Sequence, residues 1–143
     1  MHLFLDFRID FAVLIARIIL GILFFMQGYD KLFRLGLQRT EHAVADALHN
    51  TKLPESFIKL IVALSSLVEL IGGLMLITGF LIYPALTFLG IDLLIVVFAM
   101  SLREPLWDMR FIWPRLILVL LLLVLPAVHD RISIDHILNW YGI

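Results

Sequence analysis

Residues 57–80 read FIKLIVALSSLVELIGGLMLITGF. Spanning ~30 Å of hydrocarbon takes roughly 20 apolar residues at 1.5 Å rise each, so this run reads as a transmembrane helix. One carboxylate, Glu69, interrupts it near the middle. A charge at that depth costs at least ~2.5–3.5 kcal/mol, so it turns toward a partner or a wet cavity. At helical spacing Ser65, Glu69, Gly72, Leu76 and Gly79 share one face, and small residues there admit a neighbouring helix.

Three further apolar runs flank this one, at about 11–29, 82–102 and 112–128. The 143 residues are 62% hydrophobic and 16% charged, with a mean hydropathy of +1.04. That apolar share is well above a soluble domain's. The expected fold is all-α: a polytopic membrane protein, one domain over residues 1–143, built as a four-transmembrane-helix bundle. Residues 40–50 read as a short amphipathic interfacial helix in loop 1, and the tail from His129 to Ile143 as another at the C-terminus. Asp10 is the expected N-cap of helix 1, preceded by an interfacial segment. The charges Asp6, Arg8 and Asp10 argue against a signal peptide. A net charge of −1 gives no basis for nucleic-acid binding, and the absence of cysteine excludes thiolate metal sites and disulfide relays. No metal site is expected.

Helix 1 carries a second stripe of charge and glycine: Arg17, Gly21, Phe24, Gly28 and Lys31, with Gln27 beside it. The short connection after Gly79 makes helices 2 and 3 antiparallel neighbours. Helix 3 contains Asp92. Helix 4 has Arg115 at its start and Pro126 near its end, and the apolar stretch between them reads as a lipid-facing wall. Trp107 and Trp113 read as interface anchors. Gly21, Gly28, Gly72, Gly73 and Gly79 are the expected helix-packing positions.

Lys31, Arg34, Arg39, Lys52, Lys59, Arg103, Arg110 and Arg115 fall on the side of loops 1 and 3, against Arg8 and Arg131 on the other. The bias places those loops in the cytoplasm and both termini outside an inner membrane. Counting residues from the terminal side puts Arg17, Glu69 and Asp92 at similar depths of roughly 10–15 Å. One arginine and two acids leave a carboxylate without a full countercharge, an arrangement that shares a proton and can bind a polar headgroup or pass protons. The candidate polar site is therefore Arg17, Glu69 and Asp92, with Gln27 and Lys31.

Plainer readings stand beside this one. Arg17 and Glu69 can simply lock two helices together, and Asp92 can bond a backbone carbonyl or Thr87. Phe24, Phe25, Phe88 and Phe98 suit a quinone ring, or ordinary packing and lipid contact. Ser65 and Ser66 have no base at hand for nucleophilic chemistry. His42 and His49, like His129 and His136, stand seven apart at interfaces, which does not suit bis-histidine haem ligation.

The pattern Arg17-x3-Gly21, then Gln27-Gly28-x2-Lys31-Leu32-Phe33, then Glu69-x2-Gly72-Gly73-x5-Gly79 resembles the DoxX family of small four-helix membrane proteins. The tail Asp130-Arg131-x-Ser133-x-Asp135 is similar to that family's closing Ser-x-Asp element. The resemblance implies quinone- or sulfur-linked redox work as an accessory subunit of a membrane oxidoreductase system, not a complete enzyme alone. It implies quinone as a possible non-covalent ligand, and Arg17, Lys31 and Glu69 as motif positions. Membrane lipid, other redox subunits or a second copy of the chain are the expected partners. The alternative is a non-enzymatic scaffold, chaperone or lipid-binding subunit whose buried charges are structural. A transporter is a weaker third reading, because four helices leave little room for alternating access.

Overall fold

The computed structural model describes residues 2–47, 54–101, 112–125 and 132–138. Helix α1 spans His2–Tyr29 and continues as a π-helical turn, Asp30–Arg34. It is followed by α2 (Leu37–Ala47), α3 (Glu55–Thr78), α4 (Ile82–Ser101), α5 (Trp113–Val124) and one turn, α6 (Ile134–Ile137). The described residues form no strand.

α1 packs mainly against α3, α3 against α4, α4 against α5, and α5 returns to α1, so the four helices close a ring. Arg8–Arg34, Glu55–Thr78 and Ile82–Ala99 are long and apolar enough to cross a membrane, whereas α5 is a shorter apolar helix. Leu20, Phe24, Leu76, Leu86, Leu89 and Val119 fill the middle. Ile22, Leu74, Leu94 and Phe98 point outward, as expected of helices solvated by acyl chains.

Glycine sets the α1–α3 distance. A Cβ on Gly28 would lie 2.5 Å from the Leu70 nitrogen and 2.7 Å from the Ser66 oxygen. One on Gly21 would lie 2.9 Å from the Gly73 oxygen. The two backbones therefore touch, antiparallel, at positions only glycine can occupy. Gly72 faces the other way, toward the Leu89 side chain on α4.

Five expectations change. Helix 1 does not begin after Asp10: no proline or glycine interrupts residues 2–20, so the helix runs on from His2 and Asp10 is buried within it. The loop 1 helix begins at Leu37, directly after Gly36 at φ 80°, not at Thr40. Helix 4 stops at Val124, because Leu125 precedes Pro126 and is extended (φ −68°, ψ 132°). Nor is it only a lipid-facing wall, since Val119 and Leu122 are buried in the core. The tail is not an amphipathic surface helix where it is described: it is a single turn whose Ser133 and Asp135 are buried. The expected anchor Trp107, the ends of helices 3 and 4 at 102 and 126–128, and Asp130 and Arg131 lie outside the described residues.

Candidate functional site

The site is built around Glu69, whose side chain is 1% exposed. From α1, Gln27 Nε2 donates to Glu69 Oε1 at 2.8 Å. One turn on, Lys31 Nζ donates to the same oxygen at 2.8 Å and lies 2.8 Å from Oε2. Gln27 and Lys31 are four apart, so α1 presents both to one point on α3. The π-helical turn that contains Lys31 closes with Leu35 N–H donating to Asp30 O at 2.7 Å. Such turns concentrate where a helix must aim a side chain for a purpose.

Asp92, on α4, is buried and adjoins Ser65 and Glu69 from α3. Arg115, near the start of α5, lies close enough to Glu69 for charge–charge attraction. Its guanidinium carbon sits 6.0 Å from the centroid of the Phe24 ring, at the limit of a cation–π contact. All four packed helices thus contribute a polar group. Two cations, Lys31 and Arg115, face two acids, Glu69 and Asp92. Within this cluster Gln27 Oε1 and Asp92 Oδ2 are buried without a hydrogen-bond partner.

Of the five residues expected to form the site, Gln27, Lys31, Glu69 and Asp92 come together and Arg17 does not. Arg17 lies at the other end of α3, where Gly79 makes room for it: a Cβ there would sit 3.0 Å from the guanidinium carbon. Its Nη2 donates to the Ile132 carbonyl at 2.8 Å. Ten residues of α3 separate Gly79 from Glu69, about 15 Å at 1.5 Å each. The common layer therefore divides in two, and the arginine beside the acids is Arg115. Asp92 does not pair with Thr87, whose hydroxyl donates to the Tyr83 carbonyl at 2.8 Å. Ser66 likewise bonds its own helix, to Val62 O at 2.7 Å. Phe24 is fully buried beside Arg115, whereas Phe88 and Phe98 are exposed on the outer surface.

The second cluster ties the tail to the bundle. Asp135 Oδ1 accepts from Leu81 N–H at 2.7 Å and Oδ2 from Ile82 N–H at 2.8 Å. Its own N–H donates to the Gly79 carbonyl at 3.0 Å. A carboxylate on the first amides of α4 satisfies donors that no helix can satisfy internally. Ser133 does the same for α6, accepting from His136 N–H at 3.2 Å. The Ser-x-Asp element is thus a pair of helix caps.

A protein-family profile described as DoxX matches residues 12–102. No curated protein and no solved structure matches the chain. The match takes in Gln27, Lys31, Glu69, Asp92 and the α1–α3 glycine contact, and on that evidence the chain belongs to the DoxX family.

Proposed function

We propose that the protein is an accessory subunit of a membrane oxidoreductase system whose intramembrane site holds the polar head of a quinone or quinol. The observation that carries this reading is the pair of buried, unpartnered acceptors, Gln27 Oε1 and Asp92 Oδ2, beside Glu69. Acceptors left bare in a low-dielectric interior are costly, and a quinol offers two hydroxyl donors on one flat ring. Phe24 and the Arg115 guanidinium supply apolar and cationic surface next to them. The family resemblance supplies the redox context by analogy. In this reading α5 is the membrane-embedded fourth helix of the bundle, α2 lies on the membrane surface, and the Lys31 side of an inner membrane is cytoplasmic.

The test is titration of a short-chain ubiquinol into the purified chain, alongside quinone-coupled turnover in membranes. Saturable binding is expected for the native chain, with Glu69→Gln and Asp92→Asn binding at least tenfold more weakly at equal folded yield. Absence of saturable binding to the native chain would overturn the reading.

One observation favours a scaffold instead: the two cations and two acids balance within the cluster. Under that reading Glu69→Gln chiefly lowers folded yield or complex assembly, and quinol binding is absent throughout.

A further inference from the structure

Glu69 and Asp92 do not stand equally far from the two sides of the bundle. Gly28 meets Ser66 and Leu70 across the α1–α3 contact. Asp30, two residues on, is therefore about level with Ser66, only ~5 Å along the axis from Glu69. Its carboxylate lies 3.7 Å from the Arg34 guanidinium, and the two side chains are 36% and 75% exposed. Charges so open are too costly to leave in hydrocarbon, so water and headgroups reach in to this level on the Lys31 side. From there the polar groups are continuous. Lys31, 18% exposed, bonds Glu69, and Glu69 and Ser65 adjoin Asp92.

The other direction is closed. The next charge that way, Arg17, is level with Gly79, about 15 Å from Glu69. Leu20, Phe24, Leu76, Leu86, Leu89 and Val119 fill the interval, each fully buried. Among the described residues no polar side chain is buried with them. An apolar layer packed in this way stays dry.

We propose that the Glu69–Asp92 pair exchanges protons with the Lys31 side of the membrane alone. The step is proton transfer only: Asp92 Oδ2, buried and unpartnered, takes a proton from water on that side and returns it there, and no electron moves. The groups around the pair are Gln27 and Lys31 from α1, Ser65 from α3 and Arg115 from α5. The exchange needs no quinol and does not rest on that reading.

The chain has no cysteine, so an introduced one is a unique label. Arg39→Cys, at an exposed position outside the cluster, allows sealed proteoliposomes to be sorted by which face is outward. The outer pH is then stepped, and the part of the carboxyl infrared band that is missing from Asp92→Asn is followed. With the Lys31 face outward, the band should respond within the mixing time. With that face inward, the response should be about a hundredfold slower, the cost of a charge in hydrocarbon read as a rate, until a protonophore collapses the gradient. Equal rates in the two orientations, a faster response from the opposite face, or none even after collapse would each overturn the proposal. Where Asp92→Asn fails to fold, Ser65→Cys decides the matter. A membrane-impermeant methanethiosulfonate should label it from the Lys31 face, and labelling from the other face or from neither would overturn the proposal. Quinol is absent from both measurements, so their failure would leave the quinol reading to its own titration.

Discussion

Lys31 reaches from the π-helical end of α1 to Glu69 in the middle of α3, its Nζ 2.8 Å from each carboxylate oxygen. The lysine side chain is 18% exposed and the glutamate 1%. A charge at the edge of the bundle thus compensates one that is wholly enclosed, and Gln27 adds a neutral donor to the same oxygen.

Breaking that pair from one side should be worse than removing it altogether. Lys31→Met leaves a buried carboxylate short of its nearest cation, which in comparable cases costs about 3–5 kcal/mol. Lys31→Met with Glu69→Leu removes both charges and should recover most of that loss. Thermal unfolding of the single and double variants in detergent reads the difference. Equal destabilisation by the double variant would mean that the pair is not an energetic unit.

Arg115 offers a complementary test from the other side of the site. Arg115→Lys keeps the charge near Glu69 but loses the flat guanidinium over Phe24, a contact worth about 0.5–2 kcal/mol. Arg115→Met loses both and should be the more damaging, by a further 1–3 kcal/mol. A denaturation series ranking native, lysine and methionine forms in that order is the expected result. Indifference to both changes would remove Arg115 from the site.

Helical spacing is local and needs no knowledge of helix ends, so it sufficed to put Lys31 on the glycine stripe of helix 1 with Gln27 beside it. Depth counting needs those ends: it set Glu69 level with Asp92, which do adjoin, but misplaced Arg17. With helix 1 started at Phe11, Arg17 counted as level with Glu69. In the antiparallel register set by Gly21 against Gly73 and Gly28 against Leu70, Arg17 is level with Gly79. Arg115 was passed over for a related reason. Sitting three residues after Ile112, it read as a topology charge at a helix start. Tyr83 Oη donates to Leu125 O at 3.2 Å, and that register brings Arg115 near the level of Asp92. Applying the register to every basic residue at a helix start would have exposed it. Nothing local marks Asp135 as a cap for a helix 53 residues earlier.

The glycines separate backbone contact from mere smallness. Gly28→Ala forces a methyl to within 2.5 Å of the Leu70 nitrogen, so α1 and α3 must part. A loss of about 1–3 kcal/mol is expected, with weakened protection of Glu69. Gly90→Ala meets only a Val119 methyl at 3.5 Å, an ordinary contact, and should be neutral or slightly stabilising through better helix propensity. Unfolding midpoints of the two variants, measured side by side, check the contrast. A harmless Gly28→Ala would mean that the helices sit farther apart than described.

Leu81 carries a positive φ of 50°, a conformation disfavoured for a residue with a Cβ. It persists because Asp135 holds the adjacent amides, accepting from Leu81 N–H and Ile82 N–H together. Asp135→Ala removes both bonds and should cost about 1–2 kcal/mol, the usual loss of a side-chain cap. The same change loosens the tail, leaving among its described ties the Asp135 N–H bond to the Gly79 carbonyl and the Arg17 bond to the Ile132 carbonyl. Limited proteolysis should then cut near the C-terminus faster than in the native chain. Leu81→Gly, which accepts the positive φ without strain, should restore part of the stability lost in Asp135→Ala but none of the resistance to cleavage. If it restored both, the strain at Leu81 and not the carboxylate bridge would be what governs the tail.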